Sequence, residues 1–173
     1  VKLTYVLATI VVAVLVQVTL ARYTVGGRWV FDFVLVGVVF AAVVWGSVAG
    51  MLAGTMGGLL QDVLSDGIVG VGGLAKTLVG FATGIVGAQF VLARPSARAL
   101  LVTGASVVHR LLILALYGLI DQRWPSLSWN AMLAETVLNT LFGLIAFHIT
   151  ATLPGAVERH RMSRRSSLSR RNW

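Results

Sequence analysis

The chain has 173 residues, 57% of them hydrophobic and 12% charged, and its mean hydropathy of +0.88 excludes an ordinary soluble globular domain. It has no cysteine, which rules out disulfides, thiolate metal sites and a cysteine nucleophile, and its net charge of +8 is concentrated at the C-terminal end. Apolar runs near the ~20 residues needed to cross ~30 Å of hydrocarbon recur from Leu3 to Thr152. Stretches such as "LATIVVAVLVQVTLA" lack period-2 alternation, so the class is all-α polytopic rather than a barrel.

Taken in chain order, the spans fall at about 3–21, 31–46, 47–64, 71–92, 99–120 and 130–152. The first is too long for a signal-peptide core and reads as a retained span. Residues 31–64 as one helix would be about 51 Å long at ~1.5 Å per residue, so two short spans with a reversal near Gly46-Ser47 are expected. The segments "TVGGRW", "SDGIVG", "ARPSA" and "DQRWPSLSWN" supply the other breaks. Trp29, Trp124 and Trp129 fall at the proposed interfaces.

Both termini are expected in the cytoplasm. Lys2, Arg94, Arg98 and six tail arginines then lie inside, with Arg22, Arg28 and Arg123 outside. A five-span arrangement also keeps the tail inside, with 10 positives against 2 outside where six spans give 9 against 3, so charge does not settle the count and helix length favours six. The chain divides into a transmembrane domain, 1–155, and a basic tail, 156–173. The tail arginines Arg159, Arg161, Arg164, Arg165, Arg170 and Arg171 suit anionic lipid headgroups or a cytoplasmic protein partner. Nucleic-acid binding is not expected, since no nucleic-acid-binding fold or interleaved aromatics accompany them.

Gly46, Gly50, Gly54 and Gly58 recur every four residues along the third span, and Asp62 takes the next step. Gly72, Lys76, Gly80, Gly84 and Ala88 repeat that spacing on the fourth. Such small-residue ridges let helix backbones approach closely, within the protein or against a partner helix. Asp62 near one helix C-terminus and Lys76 near the next N-terminus each oppose their own helix dipole. Two readings follow: an Asp62–Lys76 ion pair or shared polar cluster at the outer end of the hairpin, or two side chains reaching water independently. Deeper in the bundle, Arg110 is expected to pair with Glu135, which shares a face with Asn139. That pair locks the fifth and sixth helices together, lines a polar cavity with Asn139, Asp62 and Lys76, or meets a partner's transmembrane helix. The histidines are scattered, and no GxSxG, phosphate loop or HExxH is present, so no catalytic residue, metal or cofactor is expected.

Two stretches carry a family resemblance: "FDFVLVGVVFAAVVWG" (Phe31–Gly46) and "GTMGGLLQDVLSDGIVGVGGLAKTLVG". They resemble the Pro-Asp-hydrophobic lead-in to the second span and the Gly-Leu-x-x-Asp, loop, Gly, Leu-Ala-x-x-Leu progression of the rod shape-determining protein MreD family. Phe31 departs from that pattern, which commonly has proline. The resemblance implies a non-enzymatic scaffold in the bacterial inner membrane. Its partners would be MreC and, in the larger complex, MreB, RodA and a class B penicillin-binding protein, acting in cell shape and lateral peptidoglycan synthesis. It also implies a helix arrangement like that of the substrate-capture subunits of energy-coupling-factor vitamin transporters. Capture of a vitamin, or transport of another small solute, is therefore the alternative. The first-span alanines Ala8, Ala13 and Ala21 are not spaced four apart as the docking motif of those subunits requires.

Overall fold

The structure, a computed structural model, describes residues 3–20, 31–65, 68–89, 94–121 and 128–169. Those residues form six α-helices and no strand: α1 (Leu3–Leu20), α2 (Phe33–Trp45), α3 (Ser47–Leu64), α4 (Val71–Gln89), α5 (Pro95–Asp121) and α6 (Trp129–Ser169). Four segments are long and apolar enough to cross a membrane: Leu3–Leu20, Val71–Gln89, Pro95–Ile120 and Trp129–Thr150. α2 is apolar but only 13 residues long. α5 starts earlier than 99, because Pro95 suits a first helical position, where its missing N–H is not needed. α6 continues past 152 as an unbroken helix. Lys2, Arg22, Arg28, Trp29, Arg123, Trp124 and the side chains of the tail arginines lie outside the described residues. Trp129 is exposed.

Successive helices pack antiparallel. Between α2 and α3 the link is Gly46 alone, at φ 93° and ψ 177°, a backbone conformation open to glycine and strained for other residues. Hydrogen bonds from Gly46 N to Ala42 O and from Gly50 N to Gly46 O, each 3.0 Å, hold the helices on both sides of it. Gly46 therefore makes the reversal. It is not a packing glycine as the ladder implied, since a Cβ there would meet nothing within 4 Å.

α2 is the central helix, touching α1, α3, α4, α5 and α6. Its apolar residues point all round, as a fully buried helix requires. Val34, Val38 and Ala41 pack with Val6 and Ile10 of α1 and Ala49 and Ala53 of α3. Leu35 and Val39 pack with Val79 of α4, Val102 and Ala105 of α5 and Phe147 of α6.

The α3–α4 hairpin brings backbone against backbone. A Cβ on Gly50 would stand 2.5 Å from the Gly80 carbonyl oxygen, and one on Gly58 would stand 2.5 Å from the Gly73 Cα. One on Gly54 would collide with the Lys76 carbonyl, and one on Gly84 with the backbone of Ser47. The Thr55 and Thr77 hydroxyls, 2.8 Å apart, close the same seam. These ridges are filled by each other, so they do not form a surface left free for a partner helix.

Candidate functional site: a buried polar hub at the start of α2

α2 has 13 residues and rises only about 20 Å, and its start is buried, with Asp32 at 6% exposed. Its first N–H groups have no preceding turn to bond to, and unpaired polar backbone is costly in an apolar surrounding. Side chains from two other helices meet that need. Gln17 of α1 donates from Nε2 to the Phe31 carbonyl at 3.1 Å and accepts the Phe33 N–H at 2.7 Å. Asn139 of α6 accepts the Asp32 N–H at 2.9 Å. Gln17 and Asn139 are 2% and 0% exposed, which marks them as internal parts of the fold.

Asp32 is the N-cap of α2. Its Oδ1 accepts the Leu35 N–H at 2.9 Å, satisfying one of the helix's free donors. Its Oδ2 lies 2.7 Å from Lys76 Nζ of α4, a close ion pair with both side chains under one-tenth exposed. Lys76 Nζ also stands 3.2 Å from His109 Nε2 of α5. An ammonium can only donate, so His109 accepts at Nε2 and, as the neutral ring, carries its proton on Nδ1. Asn139 Nδ2 in turn reaches Ser106 Oγ of α5 at 3.4 Å. Five helices thus contribute to one cluster, with α3 the exception.

The Asp62–Lys76 pair is corrected by this geometry. The hairpin register sets Lys76 beside Gly54, eight residues and about 12 Å along α3 from Asp62. Lys76 is 2% exposed and turns toward α2 and α5, so it does not snorkel to water. Asp62 instead accepts the N–H groups of Gly70 at 2.8 Å and Gly73 at 3.0 Å with one oxygen. It sits at the wrong end of its own helix and at the favourable end of α4, whose N-terminus welcomes an anion. A Cβ at Gly72 would collide with the Asp62 carboxylate, so that glycine keeps space for the cap.

Arg110 and Glu135 do meet, at 3.6 Å, across α5 and α6, with Arg110 the more exposed partner. Asn139 joins the Asp32 hub. Lys76 and Asn139 thus share the Asp32 hub, Arg110 and Glu135 bond to each other, and Asp62 lies apart at the turn into α4. His148 on α6 is exposed.

Asp32, Gln17 and Ser106 had no assigned role in the sequence reading. An acid directly ahead of an apolar run is a helix-start signal, and a lone glutamine inside an apolar helix asks for a polar partner. Neither signal identifies the partner.

The hub is suited to holding five helices in one arrangement and capping a short central helix. Among the described residues no group of three His, Asp or Glu is placed to hold a metal ion. Comparison with protein-family models, curated proteins and solved structures finds no match to the chain.

Proposed function

We propose that the chain is a non-enzymatic, multi-pass scaffold of the bacterial cell-elongation complex, of the kind the MreD resemblance implies. The observation that carries this reading is that its two motif stretches meet in space: Asp32 at the head of the first is joined to Lys76 in the second at 2.7 Å. The two motif acids both make contacts on which the fold depends, Asp32 as the cap of α2 and Asp62 as the acceptor of the Gly70 and Gly73 N–H groups at the start of α4, while Lys76 stands at a position the motif leaves open. On this reading α2 and α3 count as two short spans, making six, and both termini face the cytoplasm of the inner membrane. The basic tail lies against anionic lipid.

Since the glycine ridges are closed within the hairpin, the partner helix is assigned elsewhere. A groove of about 550 Å³ runs between α1 and α6 over α2, bordered by Ala8, Val12, Phe40, Phe142 and Ala146. Its small residues permit close approach of a single helix from a bitopic partner such as MreC. MreB, RodA and a class B penicillin-binding protein join through that partner or directly.

The test is affinity purification from native membranes in mild detergent. Recovery of an MreC-like bitopic protein, lost on Ala146→Trp without loss of the folded chain, is the expected result. Recovery of paired ATPases would replace the scaffold by the alternative, a vitamin-capture subunit or other small-solute transporter.

A further inference from the structure

A second groove, of about 350 Å³, lies between α4 and α5 and is lined by Val79 and Val86 on one side and Ala97, Leu101, Gly104 and Val108 on the other. It is almost wholly apolar. From Ala97 to Val108 it extends about 16 Å along α5, close to half of the ~30 Å hydrocarbon thickness and so to the depth of one leaflet. Gly104 is exposed toward it, and a Cβ there would meet no heavy atom within 4 Å. That glycine serves no internal contact, unlike those of the α3–α4 seam, and a side chain there would fill the groove. Arg94 stands at the end of the groove where α5 begins, exposed, its carbonyl accepting the Ala97 N–H at 3.1 Å.

We propose that this groove binds one acyl chain of an anionic phospholipid whose phosphate meets Arg94. The inference rests on the reading of the chain as membrane-embedded and not on its place in a cell-elongation complex. The apolar wall fixes where the chain lies, and the surrounding lipid offers a similar apolar environment, so wall contact alone discriminates little between lipids. Selectivity comes from the charge at the mouth. A basic residue near an anionic surface contributes ~1 kcal/mol, which converts to about a fivefold preference over a zwitterionic lipid.

The experiment reconstitutes the full chain into phosphatidylcholine vesicles containing phosphatidylglycerol, one of the two lipids carrying a photoactivatable group in its acyl chain, and maps the crosslinked peptides. Crosslinks concentrated on residues 79–86 and 97–108 are expected, with phosphatidylglycerol favoured about fivefold. Arg94→Gln should remove the preference while leaving the crosslinks in place, and Gly104→Trp should remove the crosslinks in this groove alone. Because Gly104 faces open space, Gly104→Trp is expected to keep the wild-type helical content and melting profile, which checks that the fold is intact. Crosslinks spread evenly over the exposed faces of α3 and α4, unaffected by Gly104→Trp, would overturn the proposal. So would crosslinking of the groove in native membranes to another polypeptide in place of lipid. Both results leave partner recovery in the affinity purification untouched, so the two proposals fail separately.

Discussion

The α3–α4 and α5–α6 hairpins have the same antiparallel form and are held together in opposite ways. Between α3 and α4, rows of glycine bring main chain onto main chain, and Asp62 works at the turn, capping the next helix. Between α5 and α6 Gly143 is pressed against Val102, and side chains bridge the seam: Thr103 to Thr140 at 2.9 Å, Asn139 to Ser106, Arg110 to Glu135. Where backbones touch, dispersion over many atoms carries the seam, and the one hydroxyl pair named there, Thr55 with Thr77, adds to it. Where they stand apart, polar side chains fill the gap, and each finds a partner across the seam. α2 lies against both hairpins, and its Asp32–Lys76 pair and its Asn139 contact tie it to one helix of each.

The largest effect is expected at that tie. Asp32→Ala leaves Lys76 buried without its counter-charge and should cost about 3–5 kcal/mol, read as unfolding free energy in mixed micelles. Pairing Asp32→Asn with Lys76→Met should cost clearly less than Asp32→Ala alone. Equal costs would mean that the ion pair is not what joins the two hairpins through α2.

The glycine seam comes next. Gly54→Ala should lose about 1–3 kcal/mol by overpacking against the Lys76 backbone, whereas Gly104→Ala should be neutral or stabilising by up to ~1 kcal/mol through helix propensity. If the two variants behave alike, backbone contact is not what distinguishes the α3–α4 hairpin. Asp62→Ala should cost about 1–2 kcal/mol, the worth of a helix cap, and should raise amide exchange at Gly70 and Gly73 before anywhere in α5 or α6. The smallest effect is on the polar seam, where Thr103→Val should cost about 0.6 kcal/mol, typical of interhelical hydrogen bonds in membrane proteins. A double-mutant cycle with Thr140→Val isolates that coupling.

Parts of this comparison were readable in the chain beforehand. The four-residue glycine spacing announced close approach, and the Arg110–Glu135 pairing followed from two charges at matching depth on successive helices. Neither an Asp62–Lys76 pair nor independent reach to water holds, because placing both residues in one hairpin does not fix their register. Sliding one helix by two turns exchanges one partner for another without changing the pattern of apolar residues. The role of Asp32 is not legible in its own segment because it depends on groups distant in sequence, with Asn139 more than a hundred residues away.

Helical class, the apolar segments and the reversal near Gly46 follow from the sequence alone, since each depends on neighbouring residues: hydropathy over a window, or the positive φ that glycine tolerates. Only the tertiary structure decided that α2 is central, that Lys76 belongs to Asp32, and that Asp62 caps α4. Those outcomes depend on which helix faces meet and at what register. In an apolar surrounding that choice comes from close packing and from the need to pair every buried polar group, and neither is a property of a single segment.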